Sequence, residues 1–461
     1  MARSPLLVGN ASAFWGDDPN AAARLVSQQP DLDFLTLDYL AEVSLSIMAI
    51  QRAKDPNAGY ARDFVDVVRS LIPAWRDGSD LKIVANAGGL NPQACGRACV
   101  QALGEAGLGR LKVAVVSGDD VLPAIRNQTQ RSFDNLETGE GIQRIFDRLT
   151  TANAYLGAGG IAAALRAGAN LIVTGRVADP SLTVGACLAH FGWAPDDYDK
   201  IAGATIAGHL IECGTQACGG FSTDWLELPH PEDIGFPIVE VADDGSCIVT
   251  KPGGTGGSVN LRTVKEQLLY EIGDPGNYIS PDATASLLGI ELKEVAQDRV
   301  SIRGASGHAP TSHYKVSATY RDGYKAHAMI TIFGRNAAEK ARRCGESVLQ
   351  RLAESGLKFE RSLVEVLGTG ASVPGLELPG KPNELLEAVL RVSVADPRRE
   401  AVERFSKQIA PLVTAGPQGV TGYSAGRPKV QAVFGYWPCL IDKILVNERM
   451  EILEHDLIPV S

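Results

Sequence analysis

Short, wholly apolar runs alternate with segments of helical spacing through the first two-thirds of the chain. PLLVGN, DFLTLDYL, KIVANAG, LKVAVVSGDD and NLIVTGRVAD read as five strands. Around them, residues 19–29, 41–52, 92–106, 141–155 and 160–167 read as helices, and 60–75 puts Phe64, Val67, Val68, Leu71 and Ile72 at helical spacing. Strands that are apolar on both faces and separated by helices predict a parallel sheet covered on both sides.

The last third has another rhythm. HYKVSATYRDGYKAHAMITIFG predicts an antiparallel hairpin turning at Arg321-Asp322-Gly323. A helix over 336–355, strands SLVEVLG and EAVLRVSVAD, a helix over 397–412 and a last strand KVQAVFGYW follow. The expected fold class is therefore α/β. An N-terminal parallel-sheet (Rossmann-like) domain over 1–290 would carry the site, with a C-terminal α+β domain over 291–461.

Composition narrows the function classes. A chain of 461 residues with 45% apolar content has enough material for two or three domains with real cores. Its net charge of −10, with no local cluster of Lys and Arg, argues against a nucleic-acid surface. No apolar run approaches the roughly 18–20 residues that cross a bilayer, and the N-terminus lacks the apolar core of a signal peptide. The eight cysteines are scattered and form neither a disulfide framework nor CxxC zinc pairs. The expectation is a cytoplasmic homo-oligomer with free thiols, touching neither nucleic acid nor membrane.

Open parallel sheets bind ligands beyond the carboxyl ends of their strands. Four such ends are polar or glycine-rich: Gly9, Asn10, Ser12, Gly16, Asp17 and Asp18; Asn86, Gly88, Gly89 and Asn91; Gly118, Asp119 and Asp120; Gly175, Arg176 and Asp179. Arg176 suits bidentate capture of a carboxylate or phosphate, or an internal salt bridge to Asp179 or Asp119. Asp119 and Asp120 fit a general base, ligands for a possible divalent metal, or a helix cap. In GHLIECGTQACGG, His209 and Glu212 stand three apart and share a helical face. They read as an acid/base pair, or as a buried histidine beside a small core residue, Cys213. In KPGGTGGSVN, Lys251 with Gly253, Gly254, Gly256 and Gly257 reads as an anion cradle before a helix capped by Ser258 or Asn260, or as a plain turn. His308 and His313 stand five apart before a strand, as loop residues or as reach into the site.

Walker A, strand-following G-x-G-x-x-G and G-x-S-x-G patterns are all missing, which argues against those nucleotide-binding and serine-hydrolase classes. A lyase or hydratase needs an acid and a base and no redox cofactor. His209 with Glu212 would shuttle the proton, and Asp119, Asp120 or Asp179 would be the opposing base or would ligate a metal. Arg176 and the Lys251–Gly257 loop would hold anionic groups beside Asn86 and Gly88.

The strings NAGGLNP, VVSGDD, AYLGAGGIAAALRAGANLIVTGRVADPSLTVG, GHLIECGTQACGG and KPGGTGGSVNLRTVKEQLLYEIGDP resemble the acyclic terpene utilisation (AtuA-type) family, and DYLAEVSLSIMAIQRAKDPNAGYARDF agrees. The resemblance runs to about Pro438. It implies a place in bacterial breakdown of citronellol- and geraniol-type compounds through acyl-CoA intermediates, so a CoA ester joins a small carboxylate as expected substrate. Some members carry, or are encoded beside, a small ferredoxin-like module, which implies a possible small ferredoxin-like partner subunit. The resemblance carries no catalytic residues onto this chain. Two alternatives stand beside the lyase reading: a non-catalytic acyl-CoA-binding subunit of a multi-component enzyme, and a metal-dependent hydrolase.

Overall fold

The structure, a computed structural model, describes residues 4–454 apart from 129, 374, 376–383 and 424–425. Its strands in chain order are β1 (Leu6–Asn10), β2 (Phe34–Leu37), β3 (Lys82–Ala85), β4 (Val113–Ser117), β5 (Leu149–Ala154), β6 (Leu171–Thr174), β7 (Ile238–Val241), β8 (Cys247–Thr250), β9 (Tyr278–Ile279) and β10 (Thr284–Ser286). There follow β11 (Glu291–Ala296), β12 (Arg299–Arg303), β13 (Ser306–His308), β14 (His313–Phe333), β15 (Arg361–Leu367), β16 (Glu387–Asp396), β17 (Val420–Tyr423), β18 (Gln431–Asp442) and β19 (Arg449–Leu453). The helices are α1 (Ala21–Gln28), α2 (Glu42–Lys54), α3 (Asp63–Ser70), α4 (Ile72–Arg76), α5 (Pro92–Glu105), α6 (Leu122–Asn127) and α7 (Gly159–Arg166). They continue with α8 (Ser181–Phe191), α9 (Tyr198–Glu212), α10 (Leu261–Leu269), α11 (Ala337–Glu354), α12 (Arg399–Ser406) and α13 (Leu412–Ala415).

The fold is mixed α/β. A ten-stranded sheet runs β11-β12-β8-β7-β1-β2-β3-β6-β4-β19. At its centre β1, β2, β3, β6 and β4 are parallel, and β7, β8, β12, β11 and β19 extend it antiparallel. The central strands are short runs of Val, Ile, Leu and Ala buried on both faces, as two-sided coverage requires. One face packs Leu25 of α1, Phe64 of α3, Trp75 of α4 and Cys99 of α5 against Leu35, Ile83 and Val113. Helix α9 is different: Ile201 through Ile211 are all buried, so it lies in the interior instead of showing one face to solvent.

Several sequence expectations give way. Residues 141–155 form two 3-10 turns and then β5, not a helix; Thr150 and Thr151 are β-branched and favour the extended backbone that pairs with β14. Arg321-Asp322-Gly323 is not a hairpin turn but lies inside the 21-residue strand β14. The segments flanking it do not pair with each other: Tyr324–Phe333 pairs with β16. Gly323 takes φ +85, and a Cβ there would lie 2.7 Å from the Asp396 carbonyl, so the glycine serves a close strand approach. The stretch 60–75 breaks into α3 and α4 near Pro73, and 397–412 shortens to α12. KVQAVFGYW is not the final strand, because β19 returns antiparallel to β4.

The described chain divides into two compact units, 1–319 with 436–461, and 320–435. The boundary expected at 290 falls inside the first unit, between β10 and β11. In the second unit β15, β16, β14 and β17 form a sheet whose Leu390, Val392 and Val394 pack on Ala341 and Val348 of α11 and Phe405 of α12.

Candidate functional site at the sheet rim

Registers Asn10↔Thr36, Leu37↔Ala85, Ala85↔Val173 and Val116↔Thr174 align the five parallel strands, so their carboxyl ends share one rim. At the end of β1, Asn10 donates through Nδ2 to the Ile211 carbonyl at 2.6 Å and the Glu212 carbonyl at 3.2 Å. Those carbonyls belong to the last turn of α9 and have no partner within the helix. Helix α9 stops there because Gly214 takes φ +57, a conformation that favours glycine. Thus the rim and the His209–Glu212 turn are fastened together.

At the end of β2, Asp38 is buried and its Oδ1 accepts from Asn86 Nδ2 at 2.6 Å and the Leu40 amide at 3.1 Å. Asn86, at the end of β3, accepts in turn from the Tyr39 amide at 2.6 Å. Burial raises the Asp38 carboxyl well above the carboxylate range; Asp179 adds to this, Arg176 and Asn86 oppose it, and Glu212 adds again. Asp119, at the end of β4, is buried and accepts from the Arg176 amide at 2.9 Å and Asn153 Nδ2 at 2.7 Å. Burial pushes its carboxyl up to about 6 against those hydrogen bonds. Gly175 makes room for it, since a Cβ there would lie 2.2 Å from Asp119 Oδ1.

Arg176 is 3% exposed. Its guanidinium donates to the Leu40 carbonyl, meets Asp179 Oδ1 at 2.9 Å, and stacks 4.1 Å from the centre of the Tyr155 ring. Asp179 is the open end of this pair, at 31% exposure. The internal salt bridge to Asp179 is therefore formed.

His209 and Glu212 meet as their spacing predicts, Nδ1 to Oε1 at 2.8 Å. The buried His209 carbonyl accepts from Gln267 Nε2 at 2.9 Å, and its ring lies 5.5 Å from that of Tyr278. Burial works against the imidazolium. The hydrogen bond and charge of Glu212, with the carbonyls of Gln267 and Leu268 in α10, prevail and hold His209 above its ordinary value. Glu212 is the less buried of the two, 12% exposed to the histidine's 3%. Its Oε2 is buried without a hydrogen-bond partner. Burial raises its carboxyl, His209 opposes, and Asp179 and Glu271 add to the rise. Burial also pushes the Cys213 thiol up, so it is no ready nucleophile.

The structure thus gathers Asn86, Arg176, Asp179, His209 and Glu212, with Asp119 bracing the Arg176 backbone. Gly88 serves backbone packing: its amide donates to the Thr174 carbonyl at 3.1 Å, and a Cβ would lie 2.6 Å from that oxygen. Asp120 is exposed and accepts from the Leu122 amide at the start of α6. The Lys251 loop leaves the same edge of the sheet, but β7 stands between β8 and β1. Lys251 Nζ is engaged within its own surroundings, on the Thr255 carbonyl at 2.8 Å and 3.6 Å from Asp298. Asn260 caps α10 through the Arg262 and Thr263 amides. Gly253 and Gly254 are open, whereas Gly256 and Gly257 pack against the His230 and Cys218 carbonyls. His313 pairs with Asp442 at 2.7 Å, and His308 ends β13 exposed.

Pattern reading passes over Asp38, Tyr155 and Tyr278. Asp38 follows the FLTL run directly, so the strand-end rule, extended to β2, finds it. The two tyrosines belong to no periodic pattern. All eight cysteines are unpaired. Among the described residues no helix is long and apolar enough to cross a membrane, and no group of three or more His, Cys, Asp or Glu is placed to hold a metal ion.

No curated protein and no solved structure matches the chain. The family model described as acyclic terpene utilisation family protein AtuA matches residues 6–452 of the 461, and the chain belongs to that family.

Proposed function

We propose that this protein is a proton-transfer enzyme of the lyase or hydratase type, acting on the acyl group of a CoA ester, with Glu212 as the group that moves the proton. The observation that carries this is the state of Glu212: one oxygen held by His209, the other without a partner, beside Asp179 and Tyr278. A carboxyl whose hold on a proton is strengthened by burial is suited to take one and return it. His209, turned toward α10, positions Glu212 and stabilises its ionised form. Arg176 holds Asp179 and braces the wall.

The charge arrangement supports an uncharged reacting group. Asp38, Asp179 and Glu212 bring three carboxyls to the rim, and the nearby guanidinium is already paired with Asp179. A free carboxylate would meet repulsion there, whereas the carbonyl of a thioester would not. The internal engagement of Arg176 and Lys251 supports a second reading, a subunit that holds an acyl-CoA without transforming it.

The test is incubation with acetyl-, butyryl- and 3-methylbutanoyl-CoA and the matching free acids in D2O, following α-deuteration by NMR. The expected result is exchange on at least one thioester and none on the acids, lowered about 10²-fold or more by Glu212→Gln. Binding of the thioesters without exchange would replace the enzyme reading by the subunit one.

A further inference from the structure

The proposed proton removal leaves negative charge on the acyl oxygen, and a site that does this chemistry needs a donor aimed at that oxygen. Tyr278 lies on β9, the outer strand of the three-stranded sheet β13-β10-β9 that packs on α9. It pairs with Ala285 through the backbone, so the ring is held from a regular element. The ring is tilted 53° to that of His209, at 5.5 Å. The side chain is half-buried, and its hydroxyl makes no hydrogen bond to a described residue. The hydroxyl reaches solvent, so its donor is open to a ligand oxygen in place of water.

We infer that the Tyr278 hydroxyl is the hydrogen-bond donor to the acyl oxygen at which negative charge develops when Glu212 removes the neighbouring proton. The inference rests on the proposed role of Glu212. Burial, then the charges of Glu212 and Asp179, raise the Tyr278 phenol well above its ordinary range, so it stays protonated throughout the neutral range. In the step itself, the C–H electron pair passes into the acyl group and the proton to Glu212 Oε2. The phenol keeps its proton and shortens its bond to the developing oxyanion. The other groups near it are Cys213 and Glu271, which also raise the phenol, and His209, whose ring lies 5.5 Å away.

Tyr278→Phe in the full chain removes the hydroxyl and keeps the ring on His209. With butyryl-CoA in D2O, α-deuteration should fall about 10²–10³-fold, while the melting temperature stays near that of the parent. A second readout needs no turnover: butyl-CoA, the thioether without a carbonyl, should bind the parent protein more weakly than butyryl-CoA, and Tyr278→Phe should abolish that preference. If the parent exchanges, Glu212→Gln stops it and Tyr278→Phe leaves both exchange and preference unchanged, the donor assignment fails while the role of Glu212 stands. If the parent neither exchanges nor prefers the carbonyl compound, both fail together.

Discussion

Asp119 is a carboxyl whose burial has consequences for stability. Its folded value of about 6 lies above the roughly 3.9 of an unfolded aspartate. Between those values the folded chain binds more protons than the unfolded one, so stability falls as pH rises. The contribution is fully present below about pH 4 and gone above about pH 6; at this shift it amounts to roughly 3 kcal/mol. Asp119→Asn keeps an acceptor for the Arg176 amide and removes the titration. The difference in unfolding free energy between variant and parent should therefore move by about that amount in the variant's favour from pH 4 to pH 7, measured by urea denaturation. Asp38 and Glu212 titrate in both proteins and cancel in the difference. An equal difference at both pH values would show that Asp119 is not the group responsible.

At the scale of elements, the join between β1 and α9 decides whether the rim is one site. Asn10 is the only described side chain shown bonding the carbonyls of both Ile211 and Glu212. Asn10→Ala should destabilise the protein by about 1–3 kcal/mol, the cost of leaving buried carbonyls unpaired, read as a lowered melting temperature. It should also slow any Glu212-dependent exchange, because the turn that carries Glu212 loses its tether. The elements that meet here differ in how far sequence reveals them. Strands β1 to β4 and β6 are legible because two-sided burial leaves uninterrupted apolar runs such as KIVA and LIVT. The His209–Glu212 contact is legible because spacing of three within a helix puts both on one face. The roles within the pair are not, since which member is the less buried depends on α10, 50 or more residues along the chain. Strand β5 hides behind helical-looking neighbours, and the Asp-Gly inside β14 imitates a hairpin because turn chemistry is local while strand pairing is not. Tyr278 sits on a two-residue strand, too short to leave any period.

For the whole molecule, the relevant fact is that residues 320–435 have a core of their own. Phe405 lies at its centre, fully buried among Val392, Val402 and the α11 side chains. Phe405→Ala should cost about 3–5 kcal/mol, the transfer term for a large side chain plus the cavity it leaves. Cores that are separate in space need not open together, because regions unfold in cooperative units whose free energies differ. The groups of the proposed site, Glu212, His209 and Tyr278, all lie in the other unit. Hydrogen exchange read by mass spectrometry should therefore show faster exchange across 320–435 in Phe405→Ala and unchanged protection of β1 to β4, with α-deuteration rates preserved at temperatures where the damaged unit is still folded. Equal acceleration in both sets of residues would mean that the two cores open as one cooperative body, and the chemistry at the sheet rim would then depend on the integrity of the entire chain.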